Sequence, residues 1–184
     1  MNALKLLNFS RRCRLPLVLA SEAAECGLAC MTMIARYHGH AVDLNGLRQR
    51  FALSLAGMSL RSLMGLADQL GFSTRPLRVE LTALPRVATP AILHWDLNHF
   101  VVLRAVTAKG AVIHDPALGI RTVPQEELSK HFTGVVLELN PAANFQPVEA
   151  RAPIRLSSLW SQITGLWGAL MQVIALSVVL QIAA

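Results

Sequence analysis

Aromatic side chains are scarce in this chain, 5% of 184 residues, and its 17 Lys and Arg are not interleaved with them. That excludes the charged stripe with stacking platforms that holds single-stranded nucleic acid. The net charge of +6 therefore does not point to a nucleic-acid partner. Cysteines number three, an odd count without a disulfide framework, which fits a reducing compartment. No Gly-rich phosphate loop of the P-loop kind is present, so no cofactor is expected in these residues. The N-terminus lacks the long apolar core of a secretory signal, because 15–20 is short and contains Pro16. Charge is missing altogether beyond Arg155.

That uncharged tail, in a chain 53% hydrophobic, suggests apolar surface meant for lipid. Residues 166–184 approach the ~20 apolar residues a bilayer requires. Arg151 and Arg155 stand just before them, as basic residues do on the cytoplasmic side of a span. The expectation is a transmembrane helix over 158–184, cut short within a longer protein. Three segments precede it: a basic arm over 1–14, a folded domain over 15–140 and a proline-containing linker over 141–157.

Within the folded domain the periodicity is helical first and strand-like later. A small-residue apolar helix runs from about Ala24 to Tyr37 and ends at Gly39. Asp43 caps a short helix over 44–51, and Ser59 caps a third that Gly71 closes. Strands follow over 72–79, 91–95, 99–106, 111–115, 120–123 and 134–139, with Pro76 marking an edge strand. Pro124 opens a short helix over 125–131. Helices followed by an antiparallel meander give an α+β class.

Cys26 falls where the first helix begins, facing unpaired N–H groups and the positive end of the helix dipole. Both favour the thiolate. His99 opens a strand after the tight turn at 96–98, and Asp115 closes the next strand. An antiparallel hairpin can hold that carboxylate against one imidazole nitrogen while the other faces Cys26, the arrangement a cysteine hydrolase needs. Residue types and spacing leave plainer roles open: Cys26 as a small buried hydrophobe, His99 as a turn residue, Asp115 as a turn former before Pro116. A metal set of Cys26, Cys30, His94 and His99 lacks zinc-knuckle spacing, so no metal is assigned.

Glu22-Ala23-Ala24-Glu25-Cys26-Gly27-Leu28-Ala29-Cys30 resembles the nucleophile motif of the C39 cysteine peptidases, the N-terminal domains of bacteriocin-exporting ABC transporters, the colicin V type above all. Asn98-His99-Phe100-Val101-Val102-Leu103 resembles the family's histidine motif. His114-Asp115-Pro116-Ala117-Leu118-Gly119 resembles its aspartate motif, and residues 132–137 its closing strand. The resemblance implies a papain-like fold in which Cys26 attacks, His99 moves the proton and Asp115 orients His99. It also implies cleavage after the Gly-Gly pair of a leader peptide during export. The implied partners are that leader, the rest of the transporter, a second copy and the membrane, with the peptidase at the cytoplasmic face of the inner membrane. ATP and Mg would be used only by the full-length transporter. The apolar segment 53–64 is a candidate wall for an apolar leader helix, or simply core.

One position departs from the family pattern. The glutamine that donates to the oxyanion six residues before the nucleophile is replaced by Ala20. The backbone N–H of Cys26 is the remaining expected donor, with Ser21 a poorly placed substitute. The alternative function is therefore a C39-like domain that binds and recruits cargo without cutting it.

Overall fold

The computed structural model describes residues 14–51, 57–143, 145–147 and 166–183. The basic arm up to residue 13, the 53–56 part of the candidate leader wall and most of the linker lie outside them. The chain divides into two compact units, Met1–Glu149 and Ala150–Ala184.

The first unit carries helices α1 (Cys26–Tyr37), α2 (Leu44–Arg50), α3 (Leu60–Gln69) and α4 (Gln125–His131). Its strands are β1 (Phe72–Arg78), β2 (Ala91–Trp95), β3 (His99–Thr107), β4 (Gly110–Asp115), β5 (Gly119–Val123) and β6 (Phe132–Pro141). All ten residues from Cys26 to Ala35 are buried, because the small and apolar side chains of α1 suit a helix enclosed on every side. The capping residues behave as their chemistry dictates: Asp43 accepts the Gly46 N–H and Ser59 the Ser62 N–H.

The six strands form one antiparallel sheet in the order β1-β6-β2-β3-β4-β5. Strands β2 to β5 are the expected meander. β6, the last strand in sequence, inserts between β1 and β2 and pairs with both. Periodicity marks each strand but carries no information about which neighbour it takes. Pro76 lies on β1, an edge strand, where its missing N–H leaves no central ladder broken.

Alternation along the strands separates two cores. Ile92, Phe100, Val102 and Leu137 pack beneath α1 and α3. Leu93, Val101, Leu103 and Val136 face the other way, with Leu84 and Leu128 of α4 covering them. Leu63 is buried in the helical core and Met58, Leu60 and Met64 pack against it, which is where the described part of segment 53–64 spends its apolar surface.

The second unit contributes α5 (Leu166–Ala183) among the described residues. Here the expectation of a transmembrane helix is corrected: no helix of the described residues is long and apolar enough to cross a membrane. The described part of α5 is the 18 residues Leu166–Ala183, with Gln172 and Gln181 among them; at ~1.5 Å per residue these cover about 27 Å, against the ~30 Å of a hydrocarbon core. Residues 158–165, which the expectation assigned to the same helix, lie outside the described set. The fold is thus the α+β arrangement of helices on an antiparallel sheet, with no membrane-spanning helix among the described residues.

Candidate active site

His99 begins β3 and Asp115 ends β4, two neighbours registered with Val102 opposite His114, so both residues reach the same end of the sheet. His99 Nε2 donates to Asp115 Oδ1 at 2.9 Å. That oxygen also accepts the Ala117 N–H at 2.8 Å, which fixes the carboxylate to the turn that follows it. With Nε2 engaged, Nδ1 is left for Cys26, whose side chain interacts with the same imidazole and helps raise its pKa. One turn along α1, Cys30 Sγ donates to the Phe100 carbonyl at 3.3 Å, pinning the helix to β3 beneath the thiol. The structure therefore brings Cys26, His99 and Asp115 together.

The electrostatics favour a charged pair. Burial opposes the imidazolium, but its hydrogen bond to Asp115 and its interaction with Cys26 outweigh it and raise His99 from 6.5 to about 9. Burial likewise opposes the Asp115 carboxylate. The His99 bond and the Ala117 and Leu118 N–H groups nevertheless hold its pKa below the ordinary value. Burial pushes the Cys30 thiol well above its usual range, with the charges of Cys26 and Asp115 adding to the effect. Cys30 is thereby kept neutral and packed as core.

The oxyanion side is different. Ala20 has only a methyl side chain, and its N–H donates to the Pro116 carbonyl at 2.9 Å. The Ser21 hydroxyl accepts from Arg48 Nη2 at 3.2 Å. The Cys26 N–H, expected as the remaining donor, bonds to the Ala23 carbonyl within a 3-10 turn over Ala23–Glu25. That turn is the local cause: tightening the helix entry gives the N–H a partner that an ordinary first α-turn would lack.

Sequence reasoning missed a clamp on this segment. Glu25 is 5% exposed. It accepts the Ser21 N–H at 3.1 Å and the Glu22 N–H at 3.3 Å. Arg48 of α2 forms an ion pair with it, and this bond is the main reason the Glu25 pKa is lowered. The spacing of Glu25 before Cys26 was visible, but Arg48 lies far off in sequence on a polar helix face, so nothing local joined them. Also missed was His131, which stacks on Trp95 at 5.4 Å between ring centroids and donates from Nδ1 to Asp96 at 2.7 Å. His94, weighed as a ligand, instead pairs with Thr133 Oγ1 at 2.8 Å. Among the described residues, no group of three or more His, Cys, Asp and Glu side chains is placed to hold a metal.

A model of the peptidase C39 family matches residues 14–144. The colicin V secretion/processing ATP-binding protein CvaB of Escherichia coli is 44% identical over 97% of this chain, which covers 26% of that protein. The probable microcin-H47 secretion/processing ATP-binding protein MchF of Escherichia coli is 43% identical over 95% of the chain and 25% of its own length. The chain thus spans about a quarter of the length of these curated relatives. Among solved structures, a double glycine motif protease from an AMS/PCAT transporter, in complex with the leader peptide, superposes with a TM-score of 0.67. It is 33% identical, covering 73% of this chain and 96% of that one. The peptidase domain of Streptococcus ComA, at 23% identity and a TM-score of 0.65 over 70% of this chain and 99% of that one, shares the fold. The nucleophile, histidine and aspartate motifs, the α+β fold and the matched span together make this chain a cysteine-peptidase domain of the peptidase C39 family.

Proposed function

We propose that this domain cuts a leader peptide after a Gly-Gly pair, as part of a longer ABC transporter that exports the peptide. The observation that carries this reading is the paired constellation of Cys26, His99 and Asp115. The Cys26 thiolate attacks the carbonyl carbon of the second glycine. The carbonyl electron pair moves to oxygen, and the tetrahedral intermediate collapses with cleavage of the C–N bond. The leaving amine takes the proton of His99, whose pKa of about 9 keeps it charged at neutral pH. His99 then takes a proton from a water that hydrolyses the thioester, which releases the Cys26 thiolate and restores the charged His99. Asp115 holds the imidazole orientation and stabilises its charge.

Burial of the nucleophile supports the glycine preference. Cys26 is 2% exposed, so the scissile carbonyl must descend close to the protein backbone. A side chain on either flanking residue would hold it off. The names of the relatives, secretion/processing ATP-binding proteins, support a cargo that is both processed and exported. In this reading ATP and Mg, and the pairing of two copies, belong to the longer transporter. The peptidase works from the cytoplasmic face of the inner membrane.

A second reading, binding and recruitment of cargo without cleavage, is favoured by one observation: Ala20 supplies no side-chain donor for the oxyanion. The two are separated by incubating the full chain and its Cys26→Ala variant with a synthetic double-glycine leader peptide and identifying products by mass spectrometry. A single cut after the second glycine, absent in the variant, is expected. Leader binding without any cut establishes the recruitment reading instead.

A further inference from the structure

A cleft of about 500 Å³ lies beside the His99–Asp115 pair. Its volume falls in the ~300–1,000 Å³ range of small-ligand sites. Ala23 and Ala117 supply small apolar lining, and Trp95 a larger wall. Leu118 also lines it, and is 67% exposed, an unusual exposure for a large apolar side chain fixed by a tight turn. Arg121 and Glu127, paired at 2.7 Å, stand at its outer wall.

The chemistry of the reaction decides what enters this space. A general acid must stand within hydrogen-bond reach of the amine it protonates. The residues that follow the scissile bond therefore start beside His99, which itself lines the cleft. The Gly57–Met58 segment packs along another flank of the α1 entry, where a Cβ at Gly57 would lie 3.7 Å from Ala24 and one at Gly27 would lie 3.4 Å from Met58 Cβ, and neither Gly57 nor Met58 lines the cleft.

We infer that this cleft is the binding site for the first residues of the cargo, those immediately after the Gly-Gly pair. Leu118 and Ala117 are the contacts for an apolar first cargo side chain. The inference rests on the leader-peptidase reading and adds a specificity device on the cargo side of the cut. An acidic first residue is disfavoured, because Asp96, Asp115 and Glu127 also line the cleft and already pair with its basic side chains His131, His99 and Arg121.

The test uses the full chain as its Cys26→Ala variant, which binds without turnover, and isothermal titration with three synthetic peptides. One is a double-glycine leader ending in a Gly-Gly amide. The others continue it with Leu-Ser or Asp-Ser. The Leu-Ser peptide is expected to bind about tenfold more tightly than the amide, the scale of apolar discrimination in a small pocket, and the Asp-Ser peptide no more tightly. Leu118→Ala, at an exposed position that opens no core, should remove that gain while leaving the amide's affinity unchanged, and Leu118→Met should keep it. Equal affinities for all three peptides, or a gain that survives Leu118→Ala, overturns the inference while leaving the leader reading intact. Failure of every peptide to bind overturns the leader reading, and the inference with it.

Discussion

The imidazole half of the site and the thiol half are held by different means. His99 and Asp115 sit at the ends of two paired strands of a six-stranded sheet, and both His99 Nε2 and the Asp115 carboxylate have their partners. The turn before His99 is part of this. Asp96 and Leu97 adopt left-handed φ values of 48° and 63°, a conformation that disfavours side chains. It is tied down by the Asp96 N–H on the His131 carbonyl and by the His131 side chain. The thiol half is a helix entry instead. Its rigidity comes from Glu25 and Arg48, and its N–H groups are spent on the Glu25 carboxylate and on the local turn. The imidazole half thus has its hydrogen-bond partner in place, while residue 20 offers no side-chain donor on the thiol half.

That contrast can be broken or sharpened in turn. His99→Gln removes both the acid and the base, and kcat should fall by roughly 10²–10⁴, the usual worth of positioned proton transfer; a smaller loss in a leader-cleavage assay would mean that another group moves the proton. Asp115→Asn keeps the shape but removes the charge that holds the imidazolium. A loss of roughly tenfold or more in kcat is expected, with KM nearly unchanged, because the interaction serves the reacting state and not leader binding. The pH profile carries the next effect. The wild-type rate should decline on the alkaline side with an apparent pKa near 9 as His99 loses its proton. In Asp115→Asn that limb should move to lower pH, since the Asp115 bond is the largest influence raising it. Stability follows the same sign. The contribution of the His99 pair is fully present below pH 6.5 and disappears as pH rises through about 9. Thermal melts across that window should show the decline in the wild type and a weaker one in the Asn variant.

Much of this arrangement was legible from residue order. Helix caps at Asp43 and Ser59, the glycine stops and the proline edge strand follow from local chemistry that the chain cannot evade. Cys26, His99 and Asp115 were legible because their motifs are local and their order is that of a known family. What was not legible is non-local. The insertion of β6 between β1 and β2 is a choice among sheet neighbours that alternation does not encode. The Arg48 clamp on Glu25 and the His131 stack on Trp95 join residues far apart in sequence, with no periodic signal. The transmembrane expectation over 158–184 is corrected by the described residues, among which no helix is long and apolar enough to cross a membrane.

We propose that Cys26, His99 and Asp115 work beside an oxyanion site that lacks a side-chain donor. Steady-state kinetics of the full chain and its Ala20→Gln variant on one double-glycine leader peptide test it most directly. Restoring a side-chain amide at residue 20 should raise kcat by about 10²–10³, the scale of one oxyanion donor, with little change in KM. A kcat unchanged by the substitution would contradict the account, and would locate the oxyanion donor elsewhere in the site.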